Sequence, residues 1–356
     1  MKLSTYIIRR TLMLIPTLIG LSVIVFLLSR AGGINLIISA YINPHLPYDI
    51  QRQQLINEFH LNDPIWVQYY YYMVGLFQGN WGYTRTPIYT GPVINAITIF
   101  LPNTIQLAIV SFIIAVIIGI PAGQASAVRK DSLLDQLTRV IAFVGISLPV
   151  FWLAQILSLA FATNTISPTF NILPLSGTVD PTLIAGVSWI NAEGISSPTH
   201  VMMIDALIHG NLPIFFSAIR HVILPAATLA FTTIAVIMRY MRASMVETLN
   251  ADYVKTARSK GIPERVVIRV HARRNALIPV VTVLGLTFAG LLAGVVVIET
   301  IFNYPGMGYW TVQALLNYDT GGIMGSTILF GIILVSANFI VDLLYAYIDP
   351  RIRLGE

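Results

Sequence analysis

The chain has no cysteine among its 356 residues, and only 10% of its residues are Asp, Glu, Lys or Arg. Without cysteine it can form neither disulfides nor thiolate metal sites, and it has no cysteine nucleophile. Its six histidines show no zinc-site spacing, and no His-Glu-x-x-His motif is present. No Gly-x-x-x-x-Gly-Lys-Ser/Thr loop for ATP phosphates occurs either. We therefore expect no catalytic site, no metal and no cofactor bound by this chain itself.

Long hydrophobic runs dominate what is present, since 56% of the residues are hydrophobic. Crossing a bilayer takes about 20 consecutive apolar residues, because the backbone must satisfy its own hydrogen bonds there. The first run is too long for a signal peptide and lacks a small-residue cleavage pattern, so we interpret it as a retained helix. We predict an all-α membrane protein with six transmembrane helices. The six stretches begin at Thr11, Asn103, Val140, His221, Val280 and Ser326.

Proline lies inside four of these stretches, at Pro16, Pro121, Pro149 and Pro225. Because proline donates no backbone hydrogen bond, each is expected to bend its span locally. Ordinary bundle packing and a role as hinge are both open for them.

The positive charges are distributed unevenly along the chain. With six spans, both termini and the loops after the second and fourth spans share one side, and seventeen of the 21 Lys and Arg fall there. By the positive-inside rule, both termini are predicted to be cytoplasmic in the plasma membrane. The net charge of +5 is therefore interpreted as a topology signal rather than as a sign of nucleic-acid binding.

This topology divides the chain into segments with different roles. A cytoplasmic tail and the first span come first, an outer segment follows, and a five-helix core ends in a second cytoplasmic tail. The core contains an outer loop and a cytoplasmic coupling loop. The boundaries are 1–30, 31–102, 103–348 and 349–356, with the outer loop at 163–220 and the coupling loop at 239–279.

The coupling loop contains an unusually well-marked short helix, predicted over residues 248–262. Asn250 is expected to cap its N-terminus, and Gly261 to supply a left-handed C-terminal cap. Pro263 would then prevent the same helix from continuing and start the next one. Leu249, Tyr253 and Ala257 recur every four residues and predict a narrow apolar stripe.

A second helix starting at Pro263 is predicted to carry its cations on one line and its valines on another. The cations are Arg265, Arg269 and Arg273, and the valines are Val266, Val267 and Val270. Two helices joined by a tight corner would act as a lever on the two spans that they connect. The alternative, an amphipathic loop held on anionic lipid by its charges, is equally open at this point.

Two further regions invite a functional interpretation. Glu299 and Asp342 are ionisable residues near span ends, where a structural hydrogen bond is favoured over an ion or proton site. The turn Asn303-Tyr304-Pro305-Gly306 is a candidate for closing an external gate. The aromatic stretch WVQYYYYMVGLFQGNWGY is interpreted as an interfacial anchor, with a substrate-contacting vestibule as the alternative.

The amino-acid sequence of the coupling loop resembles that of a known family. DYVKTARSKG followed by RNALIP is similar to the cytoplasmic signature of ABC importer permeases of the dipeptide, oligopeptide and nickel class. Further segments resemble the same family over about nine tenths of the chain, among them RHVILPAATLA, VIETIFNYPGMG and DPRIR. The resemblance implies a type I permease fold and a coupling helix that docks on an ATPase. We assign this coupling role to Tyr253, Thr256, Ala257, Arg258, Gly261 and Arg265, and the weaker gate role to Glu299, Asn303, Pro305 and Gly306.

The resemblance also implies a set of partners. These are a second homologous permease, two ATPase subunits that bind ATP and Mg, an extracellular solute-binding protein and membrane lipid, with no nucleic acid. The predicted substrate is a short peptide. Oligosaccharides and nickel chelates are alternatives within the same transporter type, and an ion channel is the alternative from another class.

Some positions depart from the family pattern. Lys255, Thr256 and Ala257 stand where the general permease motif has Glu-Ala-Ala. No Gly-Asp-Pro element is found around residues 30–33, and residues 178–205 look like an insertion. The last two departures concern the outer side, so they bear on the substrate rather than on ATPase coupling.

Overall fold

A computed structural model describes residues 3–34, 38, 41–42, 47–162, 173–191 and 194–348. Lys2 and the C-terminal tail 349–356, with Arg351 and Arg353, lie outside the described residues, as do parts of the outer loop 163–220. Within the described ranges the chain is mainly helical, with one two-stranded sheet. The prediction of an all-α membrane protein is thereby confirmed.

The helices and strands follow one another in this order: α1 (Leu3–Ala31), α2 (Tyr48–Glu58), α3 (Ile65–Phe77), β1 (Tyr83–Thr86), β2 (Tyr89–Pro92), α4 (Val93–Val128), α5 (Leu133–Ser147), α6 (Val150–Leu157), α7 (Met202–Ile208), α8 (Leu212–Leu249), α9 (Asp252–Ser259), α10 (Glu264–Val266), α11 (Arg273–Ile301), α12 (Met307–Leu316) and α13 (Thr320–Ile348). Single π-helical turns follow α6 at Ser158–Ala162 and α10 at Val267–Ala272, and a short 3₁₀ turn covers Pro181–Leu183.

Five segments of the described chain are helical, long and apolar enough to cross a membrane, and a sixth span is broken. In the sixth, α5 and the helix that begins with α6 meet at an angle of 104°. The break falls at Leu148 and Pro149, where proline removes a backbone donor and disfavours helical backbone in the residue before it. Counting this pair as one span gives the six predicted. Pro16, Pro121 and Pro225 instead lie inside uninterrupted helices.

The core is built around α8. Within the most apolar window of each span, 67% of the residues of α8 are buried, against 17% for α1, so α8 is central and α1 peripheral. Glycine lets α4 approach α8 closely, because a Cβ on Gly123 would lie 2.6 Å from the carbonyl oxygen of Met238. A helix of 38 residues is about 57 Å long, whereas the hydrocarbon layer is about 30 Å thick. Consequently α8 extends beyond the apolar layer.

The outer segment folds against the ends of the spans. Its helix α3 packs on α1 through Tyr69, whose hydroxyl lies 2.8 Å from the hydroxyl of Ser22. Trp66 and Phe77 on the same helix are exposed, as expected for an interfacial anchor. The hairpin of β1 and β2, joined by Pro87 and Ile88, was not predicted from the sequence.

The described part of the outer loop forms a small folded unit at the start of α8. Val179, Ile190 and Met202 are buried in one apolar cluster with Ile214 of α8. The carboxylate of Asp205 is fully buried and accepts hydrogen bonds from Ser196 and Thr199. The segment interpreted as an insertion, 178–205, is therefore packed against the bundle in its described residues.

Candidate functional site: the elbow between α8 and α11

The elbow, residues 250–272, begins where α8 ends at Leu249. The prediction that Asn250 caps the N-terminus of the next helix is wrong. Asn250 is instead the C-cap of α8, and its side-chain amide donates to the carbonyl oxygen of Val246 at 2.8 Å. Extending an existing helix gains one hydrogen bond per residue, whereas a new helix needs a costly nucleus. The short helix α9 therefore starts only at Asp252, after Ala251 adopts extended backbone.

The end of α9 follows the prediction. Gly261 has φ +74°, a left-handed conformation that residues with a Cβ rarely adopt. Its N–H donates to the carbonyl oxygen of Arg258 at 2.9 Å, and the N–H of Ile262 donates to that of Ala257 at 3.3 Å. This pair of bonds is a Schellman motif, which ends a helix sharply. A Cβ on Gly261 would meet no atom within 4 Å, so the requirement for glycine here is conformational.

The buried face of α9 differs from the predicted stripe. Val254 and Ala257 are buried and form a small cluster with Val267 and Ile262. Tyr253, which the stripe placed on the apolar face, is 45% exposed. Its hydroxyl accepts a hydrogen bond from the side-chain amide of Asn275 at 3.0 Å, which links α9 to the beginning of α11. Val254 and Ala257, which are three residues apart, form the buried face of α9, because the buried residue that they pack against in the second helix is a single valine, Val267.

The second helix of the elbow also departs from its predicted faces. The three residues of α10 are followed by a π-helical turn at Val267–Ala272 before α11 begins. Consecutive residues of a helix do not share a face, so Val266 and Val267 cannot both pack on one surface. Val267 is buried, whereas Val266 and Val270 are exposed. The predicted valine line is therefore wrong. Arg265 and Arg269 are exposed, and Arg273 is partly buried.

Two exposed ion pairs lie on the surface of the elbow. The guanidinium of Arg258 donates to both carboxylate oxygens of Glu264, at 3.1 Å and 2.7 Å, across the corner at Gly261. On α9 the ammonium of Lys255 lies 2.9 Å from the carboxylate of Asp252. The hydrogen bond and positive charge of this ammonium hold the pKa of Asp252 below its ordinary value.

The structure thus gathers all six predicted coupling residues in one elbow. Ala257 is buried and the other five are exposed. Each of Tyr253 and Arg258 has a polar partner that limits its freedom, and Thr256 donates to the carbonyl oxygen of Asp252 at 2.9 Å. An exposed surface of this kind can bind a separate partner.

A buried ion pair below the elbow was missed by the sequence analysis. Asp135, at the start of α5, is fully buried and accepts from Arg242 of α8 at 2.6 Å and 2.9 Å. Ser126 of α4 donates to the same carboxylate at 2.5 Å. Ser132 caps α5 by accepting from the N–H of Asp135. The pattern Ser-x-x-Asp before an apolar run signals this helix start, but it does not reveal the partner on α8.

The predicted gate residues lie together at the other end of α11. The carboxylate of Glu299 is fully buried and accepts from the hydroxyl of Thr104 at 2.6 Å. It also accepts from the N–H groups of Gly308 and Tyr309, at 2.7 Å and 3.1 Å. These N–H groups are at the N-terminus of α12, where the helix dipole favours a negative group. Glu299 therefore ties α4, α11 and α12 together by structural hydrogen bonds.

The turn 303–306 completes this cluster. The side-chain amide of Asn103 donates to the carbonyl oxygen of Pro305 at 3.0 Å. A Cβ on Gly306 would lie 2.2 Å from the Glu299 carboxylate, so only glycine fits. Asn303 has φ +42°, and its carbonyl oxygen accepts from the N–H of Gly177 in the outer loop. The role of these residues as a gate stays a prediction.

Asp342, the other ionisable residue singled out in a span, is paired with a cation. Its carboxylate accepts a hydrogen bond from Nε of Arg10 at 2.6 Å. This pair joins α1 to α13, and each of its two charges is compensated by the other.

Comparison with known proteins identifies the chain's family. Residues 115–354, which include the elbow and the Glu299 cluster, match the family described as binding-protein-dependent transport system inner membrane component. The chain belongs to this family. It is thus a multi-pass membrane permease subunit, in agreement with its spans.

Three relatives cover most of the chain. A dipeptide transport system permease protein of Escherichia coli (strain K12) is 36% identical over 355 residues, which cover 98% of each chain. A probable D,D-dipeptide transport system permease protein of the same strain is 41% identical over 308 residues, 85% of this chain and 84% of the relative. An oligopeptide transport system permease protein of Bacillus subtilis (strain 168) is 35% identical over 351 residues, 99% of this chain and 100% of the relative.

Proposed function

We propose that this chain is a permease subunit of an ATP-driven importer of short peptides. The observation that carries the proposal is similarity along nearly the whole chain to relatives whose names concern dipeptides and oligopeptides. The outer segment 31–102 is included in that similarity, although it lies outside the residues matched by the family model.

The energy would come from separate ATPase subunits, which bind ATP and Mg. The chain has no phosphate-binding loop, so the nucleotide must be held elsewhere. In this proposal an ATPase surface receives α9 and its neighbours. Five of the six coupling residues are exposed, whereas Val254 and Ala257 fasten α9 to the chain. No catalytic role is assigned to the permease itself.

Force on the elbow would reach two spans at once. The N-terminus of α9 is connected to α8 through Asn250, and α9 is also tied to α11 by the hydrogen bond between Tyr253 and Asn275. The Schellman motif fixes the corner between them, and the exposed Arg258–Glu264 pair spans it. Movement of the ATPases on ATP binding would therefore tilt α8 and α11 together and switch the pathway between inward-facing and outward-facing states.

The complete transporter would contain a second homologous permease, two ATPase subunits and an external solute-binding protein. Both termini would face the cytoplasm, since seventeen of the 21 Lys and Arg fall on the side that carries the elbow. The Glu299 cluster would then lie towards the outside, where the turn 303–306 could close an external gate.

The test is isolation of the transporter through this chain. Tagged wild-type chain, solubilised gently, should bring down the ATPase subunits and support ATP-dependent peptide uptake after reconstitution with the binding protein. Gly261→Asp should lose the ATPases or uncouple uptake, because the corner of the elbow requires left-handed backbone. Gly186→Asp is the matched control: Gly186 also has positive φ, at +76°, with no atom within 4 Å of an added Cβ, and it lies in the outer loop.

Three outcomes would contradict the proposal. ATPases that remain bound and coupled in Gly261→Asp would remove the elbow from the coupling mechanism. Uptake of oligosaccharides or nickel chelates, with no uptake of peptides, would correct the substrate. Ion conduction by the purified chain alone would replace the transporter by a channel.

A further inference from the structure

A second candidate site lies in the outer segment, away from the elbow and from Glu299. A cavity of about 140 Å³ is lined by the ends of α1 and α2, the helix α3, the link before β1 and the start of α13. Its lining residues include Arg30, Glu58, Gln68, Tyr72, Trp81 and Thr320. Several separate segments of the chain thus meet at one small space.

Unpartnered polar atoms are concentrated in this cavity. Ten buried side-chain nitrogen or oxygen atoms in the described part of the chain have no hydrogen-bond partner, and four of them belong to residues lining this cavity. They are Nε of Arg30, Oε1 of Gln68, Oη of Tyr72 and Oγ1 of Thr320. Buried polar groups in native proteins are nearly always hydrogen-bonded, so four unsatisfied groups around one space indicate a missing partner.

Arg30 gives the cavity its charge. The guanidinium lies over the ring of Phe26, 4.9 Å from its centroid, and Arg30 takes part in none of the ion pairs found among the described residues. Glu58 also lines the cavity, but it is exposed and makes no ion pair with Arg30. A partly buried cation without an anion favours an anionic ligand.

The walls are held in place independently of any ligand. The side-chain N–H groups of Gln68 donate to the carbonyl oxygens of Leu61 and Asp63. These bonds fix the side chain and leave its oxygen without a hydrogen-bond donor. The start of α13 is fixed against β1, because Asp319 accepts from the hydroxyl of Thr84 and from the N–H of Arg85. The site is therefore preformed, which lowers the cost of binding.

The unpartnered atoms specify the chemistry of the ligand. Arg30, Tyr72 and Thr320 offer donors that suit the two oxygens of a carboxylate, whereas Gln68 needs an N–H donor. Trp81 supplies an aromatic wall. An engineered cavity of about 150 Å³ admits benzene, so this space suits a group of about six non-hydrogen atoms. One small amino-acid residue with its carboxylate has that size.

We propose that the cavity binds the C-terminal residue of a short peptide, with Arg30, Tyr72 and Thr320 donating to the carboxylate and Gln68 accepting from an N–H of the peptide. This inference rests on the proposed function, because it assigns a holding site to the peptide before it enters the pathway. A phospholipid headgroup also offers an oxyanion, but phosphatidylglycerol has no N–H for Gln68. The phosphoethanolamine headgroup does have N–H groups, but with about eight non-hydrogen atoms it exceeds the space. The peptide is therefore the occupant that satisfies all four atoms within the available volume.

The test uses the assembled transporter in nanodiscs of phosphatidylcholine, without the binding protein, and measures equilibrium binding of radiolabelled Ala-Ala. Saturable binding is expected, weakened at least tenfold in Ala-Ala amide, which lacks the carboxylate. Arg30→Gln should weaken binding of Ala-Ala at least tenfold and Tyr72→Phe about threefold. Arg52→Gln, on α2 and outside the cavity lining, should leave it unchanged. Unchanged melting temperature and basal ATPase activity would exclude misfolding, and the nearly isosteric Tyr72→Phe is the second check.

Several outcomes would overturn the inference. These are the absence of Ala-Ala binding, equal binding of the amide, or equal binding by Arg30→Gln and wild type. Displacement of Ala-Ala by added phosphatidylethanolamine or phosphatidylglycerol would assign the cavity to lipid instead. The uptake assay separates this inference from the proposed function. Peptide uptake that is the same in wild type and Arg30→Gln removes only the cavity site, whereas wild type without any peptide uptake removes the proposed function.

Discussion

The Glu299 cluster and the elbow lie at opposite ends of the bundle and are held by different forces. Thr104, bonded to Glu299, and Ser126, bonded to Asp135 below the elbow, are both on α4. At 1.5 Å per residue they are about 33 Å apart along the helix. At the first end a buried carboxylate meets backbone N–H groups and a hydroxyl. At the second, a buried ion pair supports a corner whose own charges are exposed.

This difference separates a joint from a docking surface. Glu299 is surrounded on all sides by the chain's own atoms, so its hydrogen bonds fix three helices to one another. On the elbow, exposed pairs such as Arg258–Glu264 contribute little to stability and can exchange partners. Of the groups compared at the two ends, the buried carboxylates of Glu299 and Asp135 are therefore expected to contribute most to stability, and the exposed corner most to coupling.

Loss of the Glu299 carboxylate should have the largest effect on stability. Glu299→Ala removes the acceptor of three donors, and hydrogen bonds to charged groups contribute about 1.5–3 kcal/mol each. We expect a loss on the order of 4 kcal/mol in the free energy of unfolding. Thermal melting of the purified protein in detergent would register it as a lower melting temperature. Glu247→Ala, at an exposed position on α8, is the matched control and should change stability by less than about 0.5 kcal/mol.

Equal melting temperatures for Glu299→Ala and Glu247→Ala would contradict the view of Glu299 as a structural joint. Loss of stability in Glu299→Ala with only a small change in Glu299→Gln would instead show that shape and hydrogen bonding, rather than charge, hold the cluster together.

The Asp135–Arg242 pair should rank second. Breaking a buried pair costs about 3–5 kcal/mol, because the remaining charge is left without a partner. The Arg242 side chain is 23% exposed, so water can reach part of it, and we expect about 3 kcal/mol for Asp135→Ala. Removing both side chains should cost less than the sum of the single variants, by about 1–3 kcal/mol. Effects that simply add would mean that the two groups do not stabilise each other.

The sequence predicts the fold well, because span number and type depend on simple properties of the residues. Length and hydropathy find the spans, but of the four prolines expected to bend a span, Pro149 alone lies at a break between helices, and the sequence does not single it out. The hairpin of β1 and β2 was missed, since a short strand pair among aromatic residues has little periodicity. Its position depends on Thr84 meeting Asp319, which is 235 residues away in sequence.

The corner of the elbow was predicted from the sequence, but the buried faces of its helices were not, and the coupling role of its residues stays a prediction. Gly261 and Pro263 mark the corner, because their backbone preferences act locally. The exposure of Tyr253 could not be derived, since it depends on whether Val254 finds a partner on the following segment. The Asp135–Arg242 pair was missed for the same reason: the two residues are 107 positions apart. The spacing of residues along a short stretch of sequence does not predict contacts between distant segments.

The π-helical turn gives a third and smaller prediction. It turns Val267 inward and leaves its neighbour Val266 exposed. Burying a methylene group contributes about 0.8 kcal/mol, so Val267→Ala should lower stability by about 2 kcal/mol. Val266→Ala, the control, should cost less than about 0.5 kcal/mol. If the two variants melt at the same temperature, the view that Val267 is buried and Val266 exposed is wrong.

The Arg258–Glu264 pair should have the smallest effect on stability, although it spans the corner of the elbow. Both side chains are about half exposed, at 42% and 54%, and exposed pairs contribute about 0.2–1 kcal/mol before screening by salt. A double-mutant cycle with alanine should therefore give about 0.5 kcal/mol or less at low salt, and a smaller value at high salt. A coupling energy above about 2 kcal/mol that does not depend on salt would contradict this, since it would require a buried pair like Asp135–Arg242. The elbow would then be a second fixed joint, and the contrast between the two ends of the bundle would disappear.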